Sequence, residues 1–374
     1  MKLTDISGDI NEWLDGSGPL ADIVISSRIR LARNIAGHKF LSHCSAAEKA
    51  EILKKLRDVL MSLELGDKIF YLAVDKTPVL DRHLLVERHL ISRHHAFGKG
   101  PRGVVIAERE FFTAMINEED HLRLQVLKGG QQLTQCAEQI NRIDDMIEQR
   151  IDYAFSPRYG YLTACPTNLG TGIRVSVMLH LPALKMTGQI EKFLNASRDM
   201  GLAVRGLFGE GTEAAGDFYQ LSNQVSLGVS EAGIVTQFES TIIPEIVEYE
   251  NAARNQLLSK EPDVLDDKIS RAMALLRNAH LISSQEALFL LSHLRMGVNM
   301  HERMGASTPA IEKLCKIIAA GGNTGKSGNL SITTINRLFM LTQPAHLQLN
   351  CGKELDAAHR DILRAKIIRS ALNG

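Results

Sequence analysis

The sequence predicts an α+β fold: a mainly antiparallel sheet flanked by helices, followed by an all-helical C-terminal domain. Three observations carry this. Short β-like runs and helices mix through the first two-thirds of the chain without the regular strand–helix alternation of a parallel sheet. From about Pro244 the period becomes helical and strand runs stop. The 374 residues, 44% of them hydrophobic, suffice for two cores.

Each element has its own signal. Strands are expected at Asp22–Ser26, Ile69–Val74, Gly103–Ala107, Leu122–Leu127, Ile173–Leu181 and Phe218–Val225, several of them rich in β-branched residues. Ser45–Leu65 reads as a helix, because Ser45 and Glu48 form a capping box and Ile52, Leu56, Val59, Leu60 and Leu63 share one face. Gln131–Arg150 reads as another. Helical segments follow at 245–259, 263–279, 284–299, 309–319, 331–342 and 354–372. Ser283 with Glu286 is a second capping box, and Thr308-Pro309 places proline at a first helical position. The texture change puts the domains at 1–245 and 246–374. Gly321–Gly328 is the flexible stretch.

Lys+Arg and Asp+Glu both count 43, so the net charge is zero. That excludes nucleic-acid coats and membrane-surface binders, which need a cationic excess. No apolar run approaches the roughly 18–20 residues that span a bilayer. The first residues carry acids where a signal peptide has a basic and then an apolar stretch. Five scattered cysteines without a CxxC point to a reduced, cytoplasmic protein without a zinc ribbon.

The segment GGNTGKSG tempts as a phosphate-binding loop, but Ala320 stands at its first glycine position and a helix precedes it. It reads as a helix–helix linker. In Ser26-Ser27-Arg28-Ile29-Arg30, alternation aims Arg28 and Arg30 the same way, as a polyphosphate site or as a solvated strand face. Asn117-Glu118-Glu119-Asp120-His121-Leu122-Arg123 crowds three carboxylates, either on a surface turn or beside a compensating cation. Cys165 precedes a Gly-rich turn near arginines that can lower a thiol pKa, although a lone Cys is also ordinary packing. Arg205-Gly206-Leu207-Phe208-Gly209-Glu210 is a glycine-punctuated loop.

In order and spacing, the SSRIR strand, the NEEDHLR turn, the CPTNLGT loop and the RGLFGE loop resemble the signatures of the phosphagen (guanidino) kinases. The resemblance implies a saddle-shaped antiparallel sheet flanked by helices. It also implies reversible transfer of the γ-phosphoryl of ATP, with Mg²⁺, to a guanidinium nitrogen. Only 25 residues precede Ser26, so the helical domain that small-substrate members carry there is missing. With LTQPAHLQ and Arg360-Asp361-Ile362-Leu363-Arg364-Ala365 near the end, the chain is most similar to the bacterial protein arginine kinases.

By that resemblance Arg28, Arg30, Arg123, Arg174 and Arg205 clamp the nucleotide phosphates. Ser26, Ser27, Ile29, His89, Val175, Ser176, Val177, Met178, Gly206, Leu207, Phe208 and Gly209 complete the ATP site. Met178 stands where small-substrate kinases have an adenine-stacking histidine, so adenine packing must differ. Glu119 and Glu210 clamp the acceptor guanidinium, Glu119 being the preferred base, and Cys165 is the reactive thiol, expected as a thiolate. No residue binds metal directly, although Glu118 and Asp120 are candidates to hold Mg²⁺ through water. Arg360, Asp361 and Arg364 match an allosteric phosphoarginine pocket; read from spacing alone, the two arginines equally complement a helix terminus. Protein substrates with accessible arginines, an activator protein, a Clp-type protease machinery and a homodimer are the implied partners. The rival readings are a kinase of a free guanidino metabolite such as arginine and an inactive phosphoarginine-binding module.

Overall fold

The computed structural model describes residues 12–207, 215–320 and 331–373. Phe208, Gly209, Glu210 and the Gly321–Gly328 stretch lie outside the described residues. Eight strands form one antiparallel sheet: β1 (Val24–Arg33), β2 (Ile69–Ala73), β3 (Gly103–Ala107), β4 (Phe112–Ile116), β5 (Leu122–Gly129), β8 (Ile173–His180), β9 (Leu202–Gly206) and β10 (Phe218–Asn223). Their spatial order is β2-β3-β4-β5-β1-β8-β10-β9. A two-stranded hairpin, β6 (Phe155–Ser156) and β7 (Gly160–Tyr161), stands apart. The antiparallel sheet is as expected; β4 and β9 are additions, and β1 runs through the whole arginine motif to Arg33 instead of stopping at Ser26.

Position in the order explains composition. The central strand β1 is flanked on both edges, and Ile29 and Leu31 on one of its faces are fully buried. Helix α1 (Ala46–Met61), which keeps its Ser45–Glu48 capping box, covers β3 and β4. The other face there is closed by α2 (Val79–Glu87) and α3 (Arg93–Phe97) through a small separate core of Leu84, Leu85, Val104, Ile106 and Met115. Helix α4 (Leu133–Glu148) lays Ile140, Ile143 and Ile147 across β1 and β5. Its entry is set by Ser27, whose hydroxyl donates to the Gly130 carbonyl at 2.8 Å and accepts from the Gln132 N–H at 2.9 Å.

After α5 (Pro182–Met186), α6 (Ile190–Asp199) and α7 (Glu231–Gln237) the chain is helical: α8 (Ile243–Lys260), α9 (Pro262–Asn278), α10 (Ser284–Met304), α11 (Pro309–Ala320), α12 (Ile332–Leu341), α13 (Pro344–Cys351) and α14 (Ala357–Asn373). Helix α8, which the sequence texture assigns to the C-terminal part, is fastened to the sheet part. Buried Glu250 accepts the N–H groups of Ala183 and Leu184, and Arg254 bridges Glu250 to Asp22. The central helix α10 is buried along most of its length, and its Arg295 donates to the carbonyls of Ala21 and Asp22 just before β1. One hydrophobic core therefore runs from the sheet into the helices. Among the described residues no helix is long and apolar enough to cross a membrane.

Candidate active site

Strand pairing gathers the arginines. Arg30 faces Arg174 across β1 and β8, Ala32 faces Arg123 on β5, and Arg205 on β9 faces Gln220 on β10. Directly paired residues share a face, so Arg28, Arg30, Arg123, Arg174 and Arg205 converge on one side of the sheet. Polar residues between them fix the forks. Arg28 donates to Ser176 Oγ at 3.3 Å and to Gln220 Oε1 at 2.7 Å, and Arg174 donates to Ser222 Oγ at 3.0 Å.

The opposite pointing is equally definite. Ile29, Val175 and Val177 belong to the hydrophobic core, and Ser27 serves α4. Of the SSRIR and RVSVM segments, Ser26, Arg28, Arg30, Arg174, Ser176 and Met178 present side chains toward the arginine face. Gln220 and Ser222 were not foreseen, although alternation in FYQLSN places both on that face.

Electrostatics mark the face as an anion site. Burial and the charges of Arg123, Arg174 and Arg205 pull the Arg28 guanidinium down to about 9, and burial with the same neighbours lowers Arg30 well below its usual range. Arg30 Nε and Nη2 are buried without a hydrogen-bond partner. Unsatisfied buried donors are costly unless a ligand completes them. A polyphosphate fits this donor set.

At the Arg33 end of β1 lies the 117–121 turn, closed by Asn117 in the left-handed region at φ 61°. Glu118 is buried. Burial alone raises a carboxyl, but Arg123 Nη1 at 2.8 Å and Ser92 Oγ at 2.6 Å override it and hold Glu118 at about 2. Asp120 Oδ1 accepts from Asn34 Nδ2 at 2.6 Å and from the Ala164 N–H at 2.7 Å. Both carboxylates sequence reasoning nominated for water-mediated Mg²⁺ are thus occupied by protein donors. His121 accepts from the Ile35 N–H at Nδ1 and sits 2.8 Å from the Lys39 carbonyl at Nε2, which fixes the Nε2–H tautomer. Among the described residues no group of three or more His, Cys, Asp or Glu is placed to hold a metal.

Between these two buried carboxylates Glu119 is exposed, and desolvation followed by the Glu118 charge raises its pKa. Across the Asp120–Ala164 bond stands Cys165, partly exposed, with Sγ 3.1 Å from Thr167 Oγ1. Its loop is pinned by Ser226, which donates to the Thr167 and Leu169 carbonyls, and by Arg33, which donates to the Thr171 carbonyl while paired with Asp144. At the far end of the arginine face His89 takes φ 59°, and burial with the Arg28 charge lowers it to about 3, so its imidazole is neutral.

The C-terminal arginines separate. Arg360 lines a cleft of about 540 Å³ between α2–α3 and α13–α14, with His83, Glu87, Arg93, Phe97 and Gln343. Arg364 is 1% exposed and donates to the carbonyls of Thr342 and Ile282 at 2.8 Å each and to Asp361. The expected two-arginine grip on one phosphate is not the arrangement present, because Arg364 points inward to close the end of α12.

An antiparallel sheet with a converging arginine face, bordered by a carboxylate turn and a thiol loop, defines a guanidino phosphotransferase. Residues 51–253 match the family described as ATP:guanido phosphotransferase, C-terminal catalytic domain. The crystal structure of lombricine kinase is similar at a TM-score of 0.57 and 28% identity, covering 64% of this chain and 69% of that one. The duplicated taurocyamine kinase from Schistosoma mansoni, at 22% identity, shares the fold with a TM-score of 0.56 over 82% of this chain and 49% of its own. Residues 262–322 and 306–374 match the protein-arginine kinase McsB C-terminal domain. The protein-arginine kinase of Halothermothrix orenii is 42% identical over 374 residues, all of both chains, and that of Bacillus pumilus 39% identical over 98% of this chain and 94% of its own. The chain belongs to the protein-arginine kinases of the ATP:guanido phosphotransferase family.

Proposed function

We propose that the protein transfers the γ-phosphoryl group of ATP to the guanidinium of arginine side chains in proteins. The observation that carries this reading is the five-arginine face with the orphaned donors of Arg30. A tetra-anionic nucleotide supplies the missing acceptors and relieves the mutual repulsion that depresses Arg28 and Arg30. Phosphoryl transfer asks a protein mainly for positioning and charge neutralisation, and this face offers both.

The acceptor arginine is a poor nucleophile while protonated, since its pKa exceeds about 12. Glu119, exposed and raised in pKa, orients the guanidinium and takes its proton; Glu210 is assigned the second side of that clamp by resemblance. Cys165 aligns the acceptor from the opposite loop. Mg²⁺ would be carried by the nucleotide and would supply neutralisation of phosphate charge, since Glu118 and Asp120 are engaged by protein donors. Arg360, which lines its cleft, is assigned by resemblance to reading a phosphoarginine regulator.

The test is incubation with Mg-ATP and an unfolded basic protein, followed by mass spectrometry under neutral conditions. Acid-labile phosphate on arginine is expected. Acid-stable label excludes guanidino transfer, and label confined to added free arginine moves the protein to the small-metabolite kinases.

A further inference from the structure

Strand register sets the direction in which a nucleotide lies. Leu122, at the end of the acceptor turn, pairs with Arg33, so Glu119 stands at the Arg33 end of β1. Arg30 and Arg28 follow on the same face, and Ser26 comes beyond them. A nucleotide whose reacting phosphorus faces Glu119 has its base past Arg28. A small pocket lies there, lined by Trp13, His89, Leu127, Ser176, Met178 and Gln220, and a second, bordered by Phe339 and Met340 of α12, shares Trp13, His89 and Met178 with it.

Trp13 is the only tryptophan in the chain. It sits on a short turn, Glu12–Leu14, and is 4% exposed. Its ring meets His89 edge to face, with centroids 5.3 Å apart. The turn is seated closely: a Cβ at Gly129 on β5 would lie 3.1 Å from the Glu12 carbonyl oxygen, and Thr333 of α12 donates to the Asp15 carbonyl at 2.9 Å. Yet Trp13 Nε1 is buried without a hydrogen-bond partner. The indole N–H is a donor only, and leaving it unpaired in the interior is costly. Phenylalanine would offer an aromatic wall, though a smaller one, without an unpaired donor.

We infer that Trp13 is the purine-recognition residue of this enzyme: it forms the inner wall of the pocket beyond Arg28 and donates its Nε1–H to a ring nitrogen of adenine. The inference rests on the nucleotide reading above. Adenine carries unprotonated ring nitrogens along its edge, which are the acceptors this donor lacks, and its faces suit the apolar surfaces of Leu127 and Met178. Met178 contributes a polarizable thioether, so the aromatic part of the pocket falls to Trp13 and His89.

The single tryptophan makes the test direct. Full-length protein is titrated with ADP under selective tryptophan excitation, with binding followed in parallel by calorimetry. Saturating ADP is expected to shift and quench the emission, whereas tripolyphosphate binds the arginine face and leaves it unchanged. Trp13→Phe keeps the wall and removes the donor, so its KM for ATP is expected to rise about tenfold, with the KM for the protein acceptor unaltered. ADP binding that leaves the emission unchanged overturns the Trp13 assignment while the kinase reading stands. No ADP binding at all overturns both. Should Trp13→Phe fail to fold by circular dichroism, the wild-type titration decides alone.

Discussion

Asp120 and Ala164 join the two loops of the proposed acceptor site: the Asp120 carboxylate, one residue from Glu119, accepts the Ala164 N–H, one residue from Cys165, at 2.7 Å. Asn34 donates to the same oxygen at 2.6 Å and accepts from the His121 N–H, so the bridge is anchored to the end of β1. Asp120→Ala is therefore expected to lower kcat/KM for the protein acceptor roughly 10- to 100-fold by misplacing Glu119 relative to Cys165. The Kd for ATP should hold within about twofold. An equal loss in ATP affinity would show that the bridge also shapes the arginine face.

The arginine face trades stability for binding. Arg30 is surrounded by four like charges and leaves two nitrogens unpaired. Arg30→Met should make the ligand-free protein more stable by about 1–2 kcal/mol, as removal of uncompensated buried charge does elsewhere. The same change should weaken ATP binding and turnover about 100-fold or more. Urea denaturation and a turnover assay on one preparation test both signs; a less stable variant would mean that Arg30 has partners in the free enzyme.

Buried neutral histidines make the fold acid-sensitive in a defined window. Burial lowers both His95 and His121 to about 4 from an ordinary 6.5. Between those values the unfolded chain binds protons that the native state does not, so stability falls as pH drops from 6.5 toward 4. Each group contributes at most about 1.4 kcal/mol per pH unit. Below 4.5 the loss continues through Glu118, held at about 2 by Arg123 and Ser92 against its burial. Denaturation across this range should show the slope, and His121→Gln should flatten only the part above pH 4.

Alkylation should find Cys165 first. Cys136 is buried and pushed up to about 12 by desolvation, and desolvation also raises Cys44 and Cys315. Cys165 is partly exposed and has the Thr167 hydroxyl oxygen 3.1 Å from its sulfur. Peptide mapping after brief iodoacetamide treatment should show Cys165 leading, slowed by Mg-ATP. Leadership by Cys351 would assign Cys165 to packing.

Much of this was legible before the fold, for a physical reason: strand alternation places Arg28 with Arg30 and helix period places Arg360 near Arg364 wherever the elements end up. What alternation does not give is partnership across strands. The edge strand Leu202–Gly206 carries Arg205 between small and branched residues without a distinctive run, and Phe112–Ile116 is buried on both faces, so neither declared itself as a strand. The roles of Glu118 and Asp120 were hidden because three adjacent acids look alike until Arg123, Ser92 and Ala164 are brought to them. Trp13 was unread because one aromatic near a chain end carries no period.

Arg360 and Arg364 show the same limit at helical spacing, and they separate experimentally. Arg364 is almost fully buried, and its fork closes on the Thr342 and Ile282 carbonyls, tying α14 to the end of α12 and the start of α10. Arg364→Ala strands those carbonyls and should cost about 2–4 kcal/mol. Arg364→Lys should recover little, since a single ammonium cannot span both acceptors. Arg360 donates to the Leu355 carbonyl and otherwise fronts the cleft, so Arg360→Ala should leave stability within about 0.5 kcal/mol. If the cleft reads phosphoarginine, Arg360→Ala removes any effect of free phosphoarginine on the rate while basal ATP turnover persists. Arg364→Ala, assayed below its lowered melting temperature, should retain part of the response because its side chain does not line the cleft. Retention by Arg360→Ala with complete loss in Arg364→Ala would reverse the assignment and place the anion on the inward arginine.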